Sequence, residues 1–171
     1  MRNKKFVFVP FCLLCPSFQA KSTVGFNEWN TLFIDIFQSE DINIIQLPCP
    51  ESSFNGYNIG LSRKPHGVKY YESLDGFSEH CDYLSQQVKQ IIVGMRKNNY
   101  SILAILGIEH SPTCAITYMY TNRGTQNRQG IFIEKLFKSL IINGIDIPFI
   151  GINRRHPQKA LNKVKELINQ R

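Results

Sequence analysis

Residues 101–107 read Ser-Ile-Leu-Ala-Ile-Leu-Gly, a short continuous apolar run that follows the turn-forming pair Asn98 and Asn99. A run of this length without polar alternation is typical of a strand whose two faces are both buried, as they are in parallel sheets. Parallel strands are joined by crossover helices, and these helices cover the sheet. The run therefore predicts an α/β fold in which helices flank the strand along the chain.

The segments on either side of this strand have helical periodicity. Residues 73–97 and 128–143 are each predicted to form one helix, and Gly144 is predicted to cap the C-terminus of the second helix. The inward-facing residues of the first helix are predicted to be Phe77, Leu84, Val88, Ile91, Ile92 and Met95. Those of the second helix are predicted to be Phe132, Ile133, Leu136, Phe137 and Leu140.

Similar elements are predicted toward both ends of the chain. Apolar runs predict strands at residues 5–10, 43–47 and 147–152. Helical spacing predicts a helix at 27–38, and Pro157 is predicted to stand at the start of a last helix. We therefore expect a single α/β domain over residues 1–171, a three-layer sandwich around a mostly parallel sheet. In such sheets, ligands bind outside the carboxyl ends of the strands.

Three of the five cysteines fall at those carboxyl ends. Cys12 follows the first predicted strand, Cys49 follows the second, and Cys114 lies in the loop after the third. The three thiols are therefore expected at one edge of the sheet, where three thiolates suit a soft metal. Zinc and an iron–sulfur cluster both fit this ligand type, and the residues alone do not separate them.

Two polar residues beside these cysteines are candidates for catalysis. Glu51 stands two residues after Cys49, where a carboxylate can act as a general acid or base beside a metal. Ser111 stands three residues before Cys114, where its hydroxyl can bind a substrate or a sulfide. Glu51 also lies near the start of the glycine-rich segment 50–75, which is predicted to be a long functional loop.

Other residues have weaker claims to the same site. Cys15 forms a Cys-x-x-Cys pair with Cys12, which leaves a structural role, a fourth ligand and a redox partner open. Cys81 falls on the buried side of a predicted helix, so it is expected to be a packed core thiol. Possible substrate contacts, each with an ordinary loop or packing role as its alternative, are His66, His110, Arg63, Asn153, Arg154, Tyr57, Tyr118 and Tyr120.

The composition limits the classes of function. The chain of 171 residues has an odd number of cysteines, five, which is a poor fit to a secreted disulfide framework and indicates a reducing, cytoplasmic location. The formal net charge of +7 comes from scattered basic residues, so no nucleic acid polymer is expected as a partner. The start of the chain looks like a signal peptide, but Pro10 interrupts its apolar run, and a first strand is the preferred interpretation. No membrane partner is expected, and the oligomeric state is not predicted.

Three blocks taken in order resemble the thiouracil desulfidase-like family. They are Cys12-Leu13-Leu14, then Pro48-Cys49-Pro50-Glu51, then Gly107-Ile108-Glu109-His110-Ser111-Pro112-Thr113-Cys114. The chain departs from the better-known members at Cys15-Pro16-Ser17-Phe18, where those members have glycine and an Arg-Tyr-Asp stretch. It also has Ala115 where they have glycine.

The resemblance implies a specific chemistry. In that family three cysteines bind a 4Fe-4S cluster and leave one iron open to take the sulfur of a thiolated base, while water replaces that sulfur on carbon without redox change. By this resemblance Cys12, Cys49 and Cys114 would be the ligands, and Glu51 and Ser111 the catalytic residues. The expected partner is a thiolated small molecule.

Two other functions stay open at this point. One is a zinc- or thiol-dependent protein that uses Cys12 and Cys15, and the other is a non-enzymatic α/β binding domain. The first would make Cys114 dispensable, and the second would allow all three cysteines to be replaced.

Overall fold

A parallel sheet of four strands lies at the centre of the structure, a computed structural model that describes residues 4–19, 29–54, 65–121 and 123–170. Its strands are β1 (Lys5–Pro10), β2 (Asn43–Leu47), β3 (Ser101–Ile108) and β6 (Phe149–Ile152), in the order β2-β1-β3-β6. A separate antiparallel hairpin consists of β4 (Tyr118–Thr121) and β5 (Gly124–Asn127). The helices are α1 (Phe11–Leu14), α2 (Trp29–Ser39), α3 (Pro50–Ser53), α4 (Val68–Glu72), α5 (Phe77–Lys97), α6 (Ile131–Ile142) and α7 (Gln158–Asn169).

Helices cover both faces of the sheet, as two separate clusters of buried side chains show. Phe8 of β1 and Ile105 of β3 belong to the cluster that includes α5 and α6. Val7 and Val9 point to the opposite face, because side chains alternate along a strand, and they pack with α2 and α7. The three-layer α/β sandwich predicted from the sequence is therefore confirmed.

The order of the strands creates a switch point beside β1. The chain passes from β1 to β2 through α2 on one face, and from β2 to β3 through α5 on the other. β2 and β3 therefore flank β1 on opposite sides, and the loops after β1 and β3 leave in different directions. In open α/β sheets this arrangement leaves a crevice at the carboxyl ends, where ligands bind.

Most predicted strands agree with the structure. The bounds of β1 and β2 are as predicted, β3 is one residue longer, and β6 begins two residues later than expected, at Phe149. The predicted helix 27–38 is observed as Trp29–Ser39, and its first two residues lie outside the described ranges. Gly144 has the positive φ expected of a helix cap.

Several details of the prediction were wrong. α5 begins at Phe77 rather than at residue 73, because Gly76 has φ +76°, a left-handed conformation that precedes the helix. The prediction placed Ile91 in the core, but its side chain is 48% exposed. Phe137 is also partly exposed, and it packs edge-on against Phe149 rather than inward.

The region between β2 and α5, and the region after β3, also differ from prediction. The supposed loop at 50–75 contains the short helices α3 and α4, and residues 55–64 of it lie outside the described ranges. The β4–β5 hairpin was not predicted, and α6 begins at Ile131 rather than at 128. No helix within the described ranges has both the length and the apolar character needed to cross a membrane.

Gly130 allows the turn that contains Cys114 to pack closely against the start of α6. A β-carbon at this position would lie 2.3 Å from the backbone carbon of Thr113 and 2.6 Å from the Cys114 nitrogen. Both contacts are with backbone atoms, which have little freedom to move. The small size of the residue, rather than its conformational freedom, is therefore the reason for glycine here.

Replacement of Gly130 by alanine is expected to destabilise the protein by roughly 1–3 kcal/mol, because the turn must shift to admit the methyl group. The matched control is Gly94→Ala in the last turn of α5, where an added β-carbon meets nothing within 4 Å. That change is expected to stabilise the protein by about 0.5–1 kcal/mol, because alanine favours helix. Urea unfolding of both variants measures the difference, and equal effects would contradict the packing described for Gly130.

Candidate functional site

The structure brings Cys12, Cys49 and Cys114 to the same edge of the sheet. Cys12 lies in α1 directly after β1, Cys49 lies between β2 and α3, and Cys114 lies in the turn that follows β3. Because β1 lies between β2 and β3 in the sheet, the segments that follow these three strands are neighbours. The thiols interact electrostatically, since both Cys49 and Cys12 contribute to the pKa of Cys114.

The surroundings of Cys114 disfavour an uncompensated thiolate. Burial raises the pKa of the Cys114 thiol well above its ordinary value, and the neighbouring Cys49 raises it further. A hydrogen bond from Thr113 acts in the opposite direction, and Cys12 and Glu51 add smaller increases. A bound metal reverses this preference, because a coordinated thiol is deprotonated outright. Such a cluster of soft donors suits an iron–sulfur centre.

Each of the three sulfurs has a hydrogen-bond donor near it. The Ser52 hydroxyl lies 3.3 Å from Cys49 Sγ, and the Thr113 hydroxyl lies 3.5 Å from Cys114 Sγ. The third donor is the guanidinium of Arg154, whose Nη2 lies 3.4 Å from Cys12 Sγ. Donors of this kind stabilise negative charge on sulfur and orient metal ligands.

Glu51 is buried beside the cysteines and is held by neutral hydroxyl groups. Thr113 Oγ1 donates to Glu51 Oε1 at 2.8 Å, and Tyr71 donates to Oε2 at 3.1 Å. Ser111 Oγ lies 3.4 Å from Oε1, so the two residues predicted to be catalytic are in contact. Thr113 has a single hydroxyl proton, and the shorter distance favours its bond to Glu51 over its contact with Cys114.

Ser111 is fixed by its own turn. Its hydroxyl oxygen accepts hydrogen bonds from the backbone N–H of Cys114 at 3.1 Å and of Thr113 at 3.3 Å. These bonds occupy the lone pairs of the oxygen, so the hydroxyl proton is directed to Glu51 or to Thr113 Oγ1. The arrangement places a hydroxyl donor and a carboxylate side by side at the edge of the sheet.

The geometry does not favour a single metal ion at this site. Among the residues that the structure describes, no three His, Cys, Asp or Glu side chains lie close enough together to hold one ion. Zinc needs three or four ligands at about 2–2.3 Å from one point. In a cubane, each cysteine would ligate a different iron, so the three cysteines could hold a cluster without converging on one point.

The other candidates lie around this centre in different ways. Cys15 is partly exposed, just before a 3-10 turn at Pro16–Phe18, and Cys81 is fully buried in α5. His66 stacks on Tyr70 with ring centroids 3.7 Å apart. Tyr118 and Tyr120 are exposed on the hairpin. Asn153 Oδ1 accepts a hydrogen bond from the backbone N–H of Arg155. Arg63 and Tyr57 lie outside the described residues.

His110 has an unusual backbone conformation at the site. Its φ of +68° is rare for a residue with a side chain, and its backbone N–H bonds to the Tyr118 carbonyl at 2.7 Å. Within the described part of the chain, its buried Nδ1 has no hydrogen-bond partner. Strained conformations of this kind are concentrated at functional sites.

Sequence reasoning missed three of the residues that hold the site. Ser52 and Thr113 are hydroxyl residues adjacent to the Glu51 and Cys114 positions, so their proximity in sequence was an available signal. Tyr71 had no such signal, because it lies 20 residues from Glu51 and in a helix that was predicted as loop.

Comparison with known proteins gives one relative and one similar structure. No family model matches the chain. The chain is 30% identical over 149 residues to an uncharacterized protein of Methanocaldococcus jannaschii, MJ0003, and the match covers 84% of this chain and 81% of that protein. The structure of the present chain is similar to that of a 4Fe-4S-dependent thiouracil desulfidase, TudS (DUF523Vcz), with a TM-score of 0.54 and 18% identity. That similarity covers 95% of this chain and 99% of the other, and it establishes a shared fold.

Replacement of Thr113 by valine removes one donor to the buried Glu51 and leaves the shape unchanged. We expect a loss of about 2 kcal/mol in the free energy of unfolding, because hydrogen bonds to charged groups contribute roughly 1.5–3 kcal/mol. The control is Thr125→Val on the exposed face of β5, which is expected to change stability by less than about 0.5 kcal/mol. Equal unfolding midpoints for the two variants would contradict the bond described for Thr113.

The buried thiols are expected to resist alkylation in the folded, metal-free protein. Burial raises the pKa of Cys81 to about 12 and that of Cys114 well above its ordinary value, so both stay protonated at pH 8. Cys15 is partly exposed and is expected to react first. Peptide mass spectrometry after brief iodoacetamide treatment gives the order of modification. Labelling of Cys81 before Cys15 would contradict this assignment.

Proposed function

The chain belongs to the same family as the Methanocaldococcus jannaschii protein MJ0003, and from its own site we propose that it is a desulfidase that removes sulfur from a thiolated small molecule. The proposal assigns Cys12, Cys49 and Cys114 as ligands of a 4Fe-4S cluster. The observation that carries it is the position of these three cysteines at one edge of the sheet, beside the buried Glu51 and the partly buried Ser111 that contacts it.

Two further observations support the cluster. The sulfurs of Cys49 and Cys12 have hydrogen-bond donors at 3.3 Å and 3.4 Å, from Ser52 and Arg154, as expected for ligands whose negative charge is stabilised by their surroundings. The fold is also shared with a 4Fe-4S-dependent thiouracil desulfidase, which supports this class of chemistry for the site. A thiouracil-like base or a related thio compound is the substrate class of the proposal, and a reducing cytoplasm its location.

The reaction exchanges sulfur for oxygen without a change of oxidation state. Water adds its oxygen to the carbon of a C=S group, and the sulfur leaves with two protons as hydrogen sulfide, so atoms and electrons balance. When bound, a cluster held by three cysteines supplies an open iron that acts as a Lewis acid and has affinity for sulfur.

The protein residues manage the protons and the orientation of the reactants. Glu51 accepts a proton from the attacking water as general base and returns it to the departing sulfur as general acid. The hydroxyl proton of Ser111, which is directed to Glu51 or Thr113 Oγ1 in the structure, turns to the substrate when the substrate binds, since the lone pairs of the oxygen are held by the backbone of its own turn. Tyr71 and Thr113 hold the two carboxylate oxygens of Glu51 in place.

Iron and sulfide analysis of the anaerobically purified protein tests the ligand assignment. We expect about four iron and four sulfide per chain, with a brown colour. Replacing any one of Cys12, Cys49 or Cys114 by serine is expected to abolish or strongly reduce the bound iron. The control is Cys81→Ala, a buried thiol in α5 that the proposal leaves out. A colourless protein that also resists reconstitution would reject the cluster and return attention to zinc and to Cys15.

Activity measurements on the reconstituted protein test the catalytic pair. Glu51→Gln is expected to keep the iron content and to lower sulfide release from thiouracil-type substrates by roughly 10²–10⁴-fold, the usual contribution of a general acid–base group. Ser111→Ala is expected to keep the iron and also to lower the rate. Ser73→Ala is the control, because Ser73 is exposed after α4 and the bond described for its hydroxyl is a local one, to the Tyr70 carbonyl. Full activity of Glu51→Gln would exclude the proposed role of this carboxylate.

A further inference from the structure

Arg154 connects the exit of β6 to the first cysteine across the carboxyl edge of the sheet. It lies two residues after β6, yet its Nη2 donates to Cys12 Sγ at 3.4 Å, beyond the end of β1. β6 and β1 are not neighbours, because β3 lies between them. The guanidinium therefore reaches over the end of β3, and the exits of all four parallel strands contribute to one site.

Gln19 completes a closed ring of contacts around Cys12. Its side-chain oxygen accepts a hydrogen bond from Arg154 Nη1 at 3.2 Å, and its Nε2 donates to the Cys12 carbonyl oxygen at 3.2 Å. Gln19 itself is held by the turn at Pro16–Phe18, through a bond from its backbone N–H to the Pro16 carbonyl. Both the sulfur and the backbone of Cys12 are therefore fixed from the side of Arg154.

The position of Arg154 lowers the stability of the folded chain when no cofactor is bound. Among the residues described, its buried Nε has no hydrogen-bond partner. A buried donor without an acceptor lowers stability, and such groups in native structures call for an explanation. Among the described residues, the hydroxyl groups near the cysteine sulfurs, those of Ser52 and Thr113, are neutral. Arg154 brings a positive charge to one ligand and leaves one of its own N–H groups unpaired.

We infer that Arg154 is a positioning residue that orients Cys12 as a cluster ligand and sets the reduction potential of the bound cluster. The inference rests on the proposed function, because it requires the cluster. A cationic N–H donor stabilises negative charge on the ligand sulfur, and therefore favours the more reduced form of a cluster. Hydrogen bonds to sulfur are among the factors that determine these potentials.

The test compares Arg154→Met with Arg155→Met in the full-length protein. Both variants lose one positive charge, but Arg155 is exposed, and the bond described for it is made by its backbone N–H. After anaerobic reconstitution with iron and sulfide, the reduction potential and the rate of iron loss to a chelator are measured. The melting temperature of the metal-free protein is measured alongside, to separate folding from effects on the cluster.

Arg154→Met is expected to lower the reduction potential relative to the native protein and to accelerate iron loss. The melting temperature of its metal-free form is expected to stay the same or to rise, because the unpaired buried Nε is removed. Arg155→Met is expected to match the native protein in potential and iron retention. Arg154→Lys is expected to restore part of the shift, because lysine supplies a cationic donor without the two-pronged geometry of arginine.

Three results would overturn the inference, and they are distinguishable. If native protein, Arg154→Met and Arg155→Met share one potential and one rate of iron loss, Arg154 has no role at the cluster, while the proposed function stands. If the native protein takes up no iron, the proposed function fails and the inference fails with it. A lowered melting temperature of Arg154→Met with an unchanged potential assigns Arg154 to folding and also overturns the inference.

Discussion

Parallel pairing of the four strands is the constraint on which the rest of the structure depends. Parallel strands cannot be joined by tight turns, so each connection must cross back over the sheet and bury a helix against it. That requirement covers both faces and brings every carboxyl end to one edge. With β1 between β2 and β3, residues that are far apart in sequence become neighbours wherever they follow a strand. Cys12, Cys49, Cys114 and Arg154 all satisfy that condition.

The strands and the positions of the three cysteines were predictable because they depend on local signals. Continuous apolar runs ended by Pro10, or by Pro48 just beyond the strand, gave the bounds of β1 and β2. A cysteine directly after such a run must lie at the carboxyl edge once the sheet is parallel. Helix starts were less predictable, since they depend on contacts with other segments. Before α6, for example, the backbone N–H of Arg128 bonds to the Thr117 carbonyl, which the helical pattern cannot reveal.

The network around Glu51 shows where local reasoning stops. Tyr71 reaches the carboxylate from α4, a helix of five residues in a segment whose glycines favoured a loop. Thr113 stands between two residues that the sequence motif emphasised, Pro112 and Cys114, yet it makes the shortest bond to Glu51 in the described structure. Both contacts arise only when α3, α4 and the turn after β3 meet. A sequence motif identifies the proposed catalytic and ligand residues more readily than the residues that position them.

Burial determines the chemistry of the site, and it also makes negative charge at the site unfavourable. Among the described residues, the hydroxyl groups of Tyr71, Ser111 and Thr113 position the carboxylate of Glu51. The same burial raises the pKa of the Cys114 thiol, and Cys49, Cys12 and Glu51 raise it further. Groups that become anionic are thus concentrated where water is excluded, and Arg154 brings positive charge to one side of them.

That imbalance links the fold to the proposed cofactor. A folded chain without metal avoids buried negative charge by keeping its buried thiols protonated, as the raised pKa values of Cys81 and Cys114 indicate. Binding of iron would replace the thiol proton of Cys114 but not that of Cys81, so the affinity for iron must depend on pH and on the rigidity of the turn after β3. Gly130 permits that rigidity, because only a residue without a side chain lets the turn lie against the start of α6. Packing of Gly130 against the backbone of Thr113 and Cys114 therefore affects how well Cys114 is positioned as a ligand.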